Sequence, residues 1–226
     1  MNTIELLCIC IAELVPLAAA LFCLIYGLRH FFKRGRPLFL QSLTMAMASH
    51  ALGSIYHLCH TLASDTLMEG FTPAYLGRIG FFLFILTAGY GQLDRIVDDG
   101  SAKMRFARLV ALAAPLGAVL LYLPNAIWED VPMATKVVYA LVWLSAAFSM
   151  YFNLKQAIIP DLDFGFVKAI KPYNTLVLCL EFSELLCLTA WNYYDPVGLA
   201  LSTVLFGVLC ICTMVAAKKG VEKWTI

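Results

Sequence analysis

The sequence predicts an all-α membrane protein, a seven-transmembrane-helix bundle with its N-terminus outside and its C-terminus in the cytoplasm. Three observations carry that expectation. The composition is 62% hydrophobic and only 14% charged, whereas a soluble domain carries about 25% charged residues. Apolar runs long enough to cross a bilayer recur along the chain. Basic residues fall on one side of those runs. Of the 16 Lys and Arg, only Arg78 and Lys136 lie outside the first, third and fifth connections and the C-terminal tail. By the positive-inside rule those connections are cytoplasmic. No linker or low-complexity segment divides the chain, so residues 1–226 read as one domain. The net charge of +1 gives no electrostatic case for a nucleic-acid partner.

Span one is expected from Thr3 to Leu28, with Glu5 near its start, Glu13 near its middle and Pro16 as a kink site. Arg29, His30, Lys33, Arg34 and Arg36 form a basic connection, and Pro37 opens span two, Leu38 to Leu62. An acidic connection with Asp65 and Glu69 leads to span three, Pro73 to Leu93, which carries Arg78. A mixed, basic-rich connection from Asp94 to Arg108 follows. Span four, Leu109 to Leu123, is short and contains Pro115. Span five runs from Met133 to Phe152, where Lys136 can snorkel outward. The longest connection, Asn153 to Pro172, turns at Pro160–Gly165. Span six covers Tyr173 to Tyr193 and span seven Val197 to Ala217. All eight cysteines fall inside spans, which suits apolar packing better than a disulfide framework.

Ionisable residues at membrane depth are costly, about 2.5–3.5 kcal/mol each at a helix centre, and mark candidate sites. His50, Ser54 and His57 are spaced i, i+4, i+7 and share one face of span two. Glu181 and Glu184, at i, i+3 in the middle of span six, cannot both be ionised without a partner. Each needs a proton, a basic side chain or a bound cation. Arg78 could balance one of them or meet an anionic group. Together with Glu13, His60 and Asn192 these residues suggest an outward-facing polar pocket: Glu13, His50, Glu181 and Glu184 as its floor, and His57, His60, Arg78 and Asn192 nearer its mouth. His57 and His60, at i, i+3, also suit a divalent metal as cofactor, or equally the interfacial belt where polar-tipped rings gather.

Ser54-Ile-Tyr-His57-Leu-Cys59-His60, followed by Tyr75-Leu-Gly-Arg-Ile-Gly80, resembles a segment of the CREST superfamily of seven-span proteins. That group includes alkaline ceramidases, haemolysin III proteins and the progestin and adiponectin receptors. The resemblance implies an intramembrane zinc hydrolase site built from a Ser, an Asp and three His, with Ser54 and His57 in the Ser and His positions. The family's Asp would fall near Gly77 or Arg78, and its His-x-x-x-His in the last span has no counterpart. A zinc site would need glutamates in place of histidines.

Two functions follow as expectations. One is a transporter- or receptor-like protein of the cell membrane that binds or moves a small solute or cation. The other is a metal-dependent hydrolase acting on a lipid-like substrate. The lipid bilayer, a small-molecule or ion ligand, and a cytoplasmic partner or second copy of the chain are the partners these readings call for. Span seven has no lysine before Lys218, which excludes a retinal Schiff base.

Overall fold

The computed structural model describes residues 3–31, 38–63, 72–89, 98, 100–127, 130, 132–159, 166–189 and 195–222. Among them every regular element is helical: α1 Thr3–Phe31, α2 Leu38–Ala63, α3 Pro73–Gly89, α4 Ala102–Ala111, α5 Ala113–Ile127, α6 Met133–Ile158, α7 Phe166–Cys187 and α8 Pro196–Glu222. Pro73 and Pro196 each open a helix, where the missing N–H is no loss. Several helices overrun the expected spans, because an apolar run fixes the buried length of a helix but not where its polar ends stop. α6 continues to Ile158 and α7 begins at Phe166.

The fourth apolar run differs from the expected single span. It begins earlier, at Ala102, and is broken at Leu112. Pro115 has no N–H to return to the carbonyl of Ala111, so the ladder is interrupted. The Leu112 N–H instead reaches the Leu109 carbonyl at 3.2 Å, and Leu116 N–H bonds to Leu112 at 3.1 Å. Counting α4 and α5 as one stretch, four stretches are long and apolar enough to cross a membrane: Cys10–Arg29, Met104–Ile127, Met133–Ile158 and Pro196–Lys219. α3 is apolar but shorter. α2 and α7 are not among the four. They carry the histidines and glutamates that the sequence singles out.

Six helices close a ring: α1 packs on α2, α2 on α3, α3 on α6, α6 on α7, α7 on α8, and α8 back on α1. α4 and α5 lie outside it against α6. Most of the buried apolar side chains form one continuous core. The tightest seam joins α2 and α3. A Cβ added to Gly77 would stand 2.6 Å from the Gly53 Cα and 2.7 Å from the Ser49 carbonyl oxygen. Small residues here let two backbones touch. Ser49 Oγ adds a hydrogen bond to the Gly77 carbonyl at 3.0 Å. All eight cysteines are free thiols.

Candidate functional site

Ring closure places α2 opposite α7, and their side chains meet across the middle. His50 on α2 lies 3.3 Å through Nε2 from Glu184 Oε2 on α7. Arg78 Nε on α3 donates to the other oxygen, Glu184 Oε1, at 3.0 Å. The Glu184 side chain is 3% exposed, and a buried carboxylate with two such partners has its charge matched. His50 is held in place by rings, stacked on Phe206 of α8 at 4.7 Å and edge-on to Phe81 of α3 at 5.4 Å. Its Nδ1 lies 3.3 Å from Ser54 Oγ, one turn along α2.

The tautomer follows from this network. Glu184, facing Arg78, accepts hydrogen bonds, so His50 Nε2 carries the proton. In the neutral imidazole Nδ1 is then the acceptor, and Ser54 donates its hydroxyl hydrogen to it. Nearer the surface, His57 Nε2 on α2 pairs with Glu13 Oε1 on α1 at 3.2 Å, with side chains 33% and 27% exposed. Arg78 also lies over the Tyr75 ring at 5.9 Å, and Tyr75 donates its hydroxyl to Tyr139 of α6 at 3.2 Å.

Glu13, His50, Ser54, His57, Tyr75, Arg78 and Glu184 line a cavity of about 100 Å³, closed by Pro16 of α1, Cys187 of α7, and Leu199 and Thr203 of α8. It opens into the half of the bundle that holds the start of α1. Exposure falls from the Glu13–His57 pair at its mouth to the His50–Glu184 pair at its floor, so Glu13 lies at the mouth and not on the floor expected for it.

Of the residues singled out in the sequence, Glu13, His50, Ser54, His57, Arg78 and Glu184 all line this one cavity. Glu181 does not, which corrects its expected place on the pocket floor. It is fully buried and faces α6, where Asn153 Nδ2 donates to Glu181 Oε2 at 2.9 Å. Positions i and i+3 on a helix differ by about 60° in direction, and here that difference puts the two glutamates against different neighbours. Asn192 lies outside the described residues. His60 does not join His57 in the cavity; its ring lies 6.4 Å from that of Tyr56 on its own helix. Among the described residues no three His, Cys, Asp or Glu side chains converge as a metal ion requires. The donor set therefore does not fit the zinc centre that the CREST resemblance implies.

Sequence reasoning missed Tyr75, whose ring and hydroxyl tie Arg78 to α6. It also missed a cluster at the opposite end, where Asp98 meets Arg108 of α4 and Lys155 of α6. Arg108 Nε lies 2.8 Å from Asp98 Oδ2, its Nη2 contacts Oδ1, and Lys155 Nζ lies 2.7 Å from Oδ2. The Arg108 hydrogen bonds hold the Asp98 carboxyl well below the usual carboxylate range, with Lys155 adding to the effect against the opposing cost of burial. Lys155 reads as a connection charge in the sequence, yet only 4% of its side chain is exposed. Lys136, one turn into α6, donates to the Ala126 carbonyl near the end of α5 at 3.0 Å.

Fold and cavity together define a class: an all-helical bundle with helices of membrane-crossing length and an ion-paired polar cavity sunk into one end. No protein-family model matches the chain, and neither the curated proteins nor the solved structures give a match.

Proposed function

We propose that this chain is a seven-span protein of the cell membrane whose outward-facing cavity binds a small, positively charged solute, an ammonium-type or monovalent cation. α1, α2, α3, the broken α4–α5 stretch, α6, α7 and α8 supply the seven spans. The basic connections support a cytoplasmic C-terminus and a cavity that faces outward. The observation that carries the ligand class is the charge of the cavity. It holds two carboxylates, Glu13 and Glu184, against one obligate cation, Arg78. With both histidines neutral the lining carries one net negative charge. A histidine becomes a cation only on taking up a proton, so protons compete with the solute.

Thermal unfolding of the purified protein in detergent tests this. Sodium, potassium, ammonium and methylammonium chlorides are compared with choline chloride at matched ionic strength. A ligand at a hundred times its Kd stabilises the folded state by about 2.7 kcal/mol. Selective stabilisation by one of the small cations, lost in Glu13→Gln, is the expected result. Equal behaviour in all five salts refutes the reading. Flux of the stabilising cation into liposomes then separates a carrier from a receptor.

A second reading rests on one further observation, the order Ser54–His50–Glu184. Nucleophile, base and orienting carboxylate stand within reach of one another beside a cavity, as acyl transfer needs. Ser54 Oγ would attack the carbonyl carbon of a lipid-like ester and pass its proton to His50 Nδ1. The ester C–O bond breaks, the departing alcohol takes that proton, and water releases the acyl group from Ser54 by the same steps. A fluorophosphonate probe decides it. Covalent labelling of the wild type and none of Ser54→Ala favours the hydrolase, and no labelling of the wild type removes it.

A further inference from the structure

On the side of α7 away from the cavity, two polar stripes face each other. α6 contributes Ser149, Asn153 and Gln156 at i, i+4, i+7; α7 contributes Glu181 and, two turns earlier, Asn174. All five are buried, with relative exposures of 0–4%. Their hydrogen bonds are incomplete in a consistent way. Asn153 Nδ2 reaches both Glu181 Oε2 at 2.9 Å and Ser149 Oγ at 3.4 Å. Gln156 Nε2 donates to the carbonyl of Gly89, the last residue of α3, at 2.8 Å. Glu181 Oε1, Gln156 Oε1 and Asn174 Oδ1 have no partner among the described residues. Each of these is an acceptor, so what completes the stripe must donate hydrogen.

Gly89 brings the α3 backbone into contact with the stripe. A Cβ there would stand 3.6 Å from Asn153 Oδ1 and 3.9 Å from Gln156 Oε1. Buried acceptors of this kind are normally met by ordered water. From Glu181 to Asn174 the stripe descends about 10 Å, toward the ends of α3 and α6.

Glu181 has a specific need within that stripe. Its donors are the Asn153 amide and the Ser149 hydroxyl, and two neutral donors do not compensate the charge of a fully buried carboxylate. Among the described residues no basic side chain reaches it. Lys155, two positions beyond Asn153, is bonded to Asp98. Arg78 and His50 are bonded to Glu184. α3 presents a backbone carbonyl at Gly89. Tyr173, about two turns earlier on the same helix, is a further buried titratable group near it. A proton on Oε1 satisfies both requirements, because it removes the charge and supplies a donor.

We propose that Glu181 is a proton-binding site reached by water along the α6–α7 stripe, from the end of the bundle opposite the cavity. Oε1 takes its proton from a water chain at Gln156 and Asn174 and returns it the same way. The site is separate from the solute cavity and does not depend on what fills it. Glu184 ends the path from one side and Glu181 the path from the other, one helical turn apart.

The test is infrared difference spectroscopy of the full chain, in a maltoside detergent that has no ester carbonyl, on transfer from light to heavy water at neutral pH. A protonated-carboxyl carbonyl band that shifts on deuteration is expected in the wild type and in Glu184→Gln, and is lost in Glu181→Gln. Gln156→Leu and Asn174→Leu should keep the band but slow its shift. Should Glu181→Gln fail to fold, Glu181→Asp serves, and a band that moves in frequency supports the assignment. Absence of the band in the wild type, its persistence unchanged in the Glu181 variant, or exchange slowed by Glu184→Gln and not by the stripe variants overturns the proposal. Salt-dependent stabilisation in the same samples reports on the cavity separately, so failure of one reading is distinguishable from failure of the other.

Discussion

Replacing Gly77 by alanine adds one methyl group at the point where α2 and α3 touch. The new Cβ would meet the Gly53 Cα at 2.6 Å, the Ser49 carbonyl oxygen at 2.7 Å and the Gly53 nitrogen at 2.8 Å. All three are backbone atoms, so no side chain can rotate away. The seam must open by about 0.8 Å to restore ordinary contact at 3.4 Å. Opening it stretches the Ser49–Gly77 hydrogen bond and draws Arg78 away from Glu184. Overpacking of this kind costs about 1–3 kcal/mol, and in a chain this size each kcal/mol moves Tm by about 2–4 °C. Gly80→Ala is the control. Its Cβ would come closer still, to Ser49 Oγ, but that oxygen is the end of a side chain that can turn. Thermal unfolding in detergent should therefore rank wild type above Gly80→Ala, and Gly80→Ala above Gly77→Ala. A Gly77→Ala protein as stable as the wild type, or more stable than Gly80→Ala, refutes the close-packed seam and the placement of Arg78 that depends on it.

Arg78→Leu leaves the buried Glu184 charge with His50 alone and should cost about 3 kcal/mol. Adding Glu184→Gln removes the charge and should recover most of that loss, and a double variant as unstable as the sum of the singles contradicts the pairing. His57→Gln breaks a pair whose two side chains are both about a third exposed. It should change stability by less than about 1 kcal/mol while weakening the cation-induced stabilisation. Asp98→Asn should lower Tm at neutral pH by leaving Lys155 buried without its carboxylate. Because folding depresses the Asp98 pKa, its contribution is fully present above the unfolded value of about 4 and is lost as pH falls through the folded value. Unfolding curves of wild type and variant should converge on acidification, and a gap that stays constant with pH would contradict the ion cluster.

The helices are legible in the amino-acid sequence because the apolar runs and the prolines at Pro73, Pro115 and Pro196 act locally. Where a backbone must satisfy its own hydrogen bonds, the sequence near each residue decides whether a helix forms and where it breaks. The polar residues of interest are legible for a similar reason: a histidine, glutamate or arginine inside an apolar run stands out as an anomaly. The i, i+4, i+7 spacing of Ser149, Asn153 and Gln156 carries the same signal. It is masked because Asn153 and Gln156 sit beyond the expected end of their span.

Pairing is not legible in the same way. Glu181 and Glu184 look equivalent in sequence, one turn apart on one helix. The ring order gives them different fates, because α2 and α3 present a histidine and an arginine to one while α6 presents an amide to the other. Lys155 likewise looks solvated until α4 and the segment holding Asp98 fold over it. The sequence by itself determined a helical, apolar bundle and which of its residues are out of place there. Tertiary structure alone decided which of those residues meet, because helix periodicity fixes the direction of a side chain but not the identity of the helix it faces.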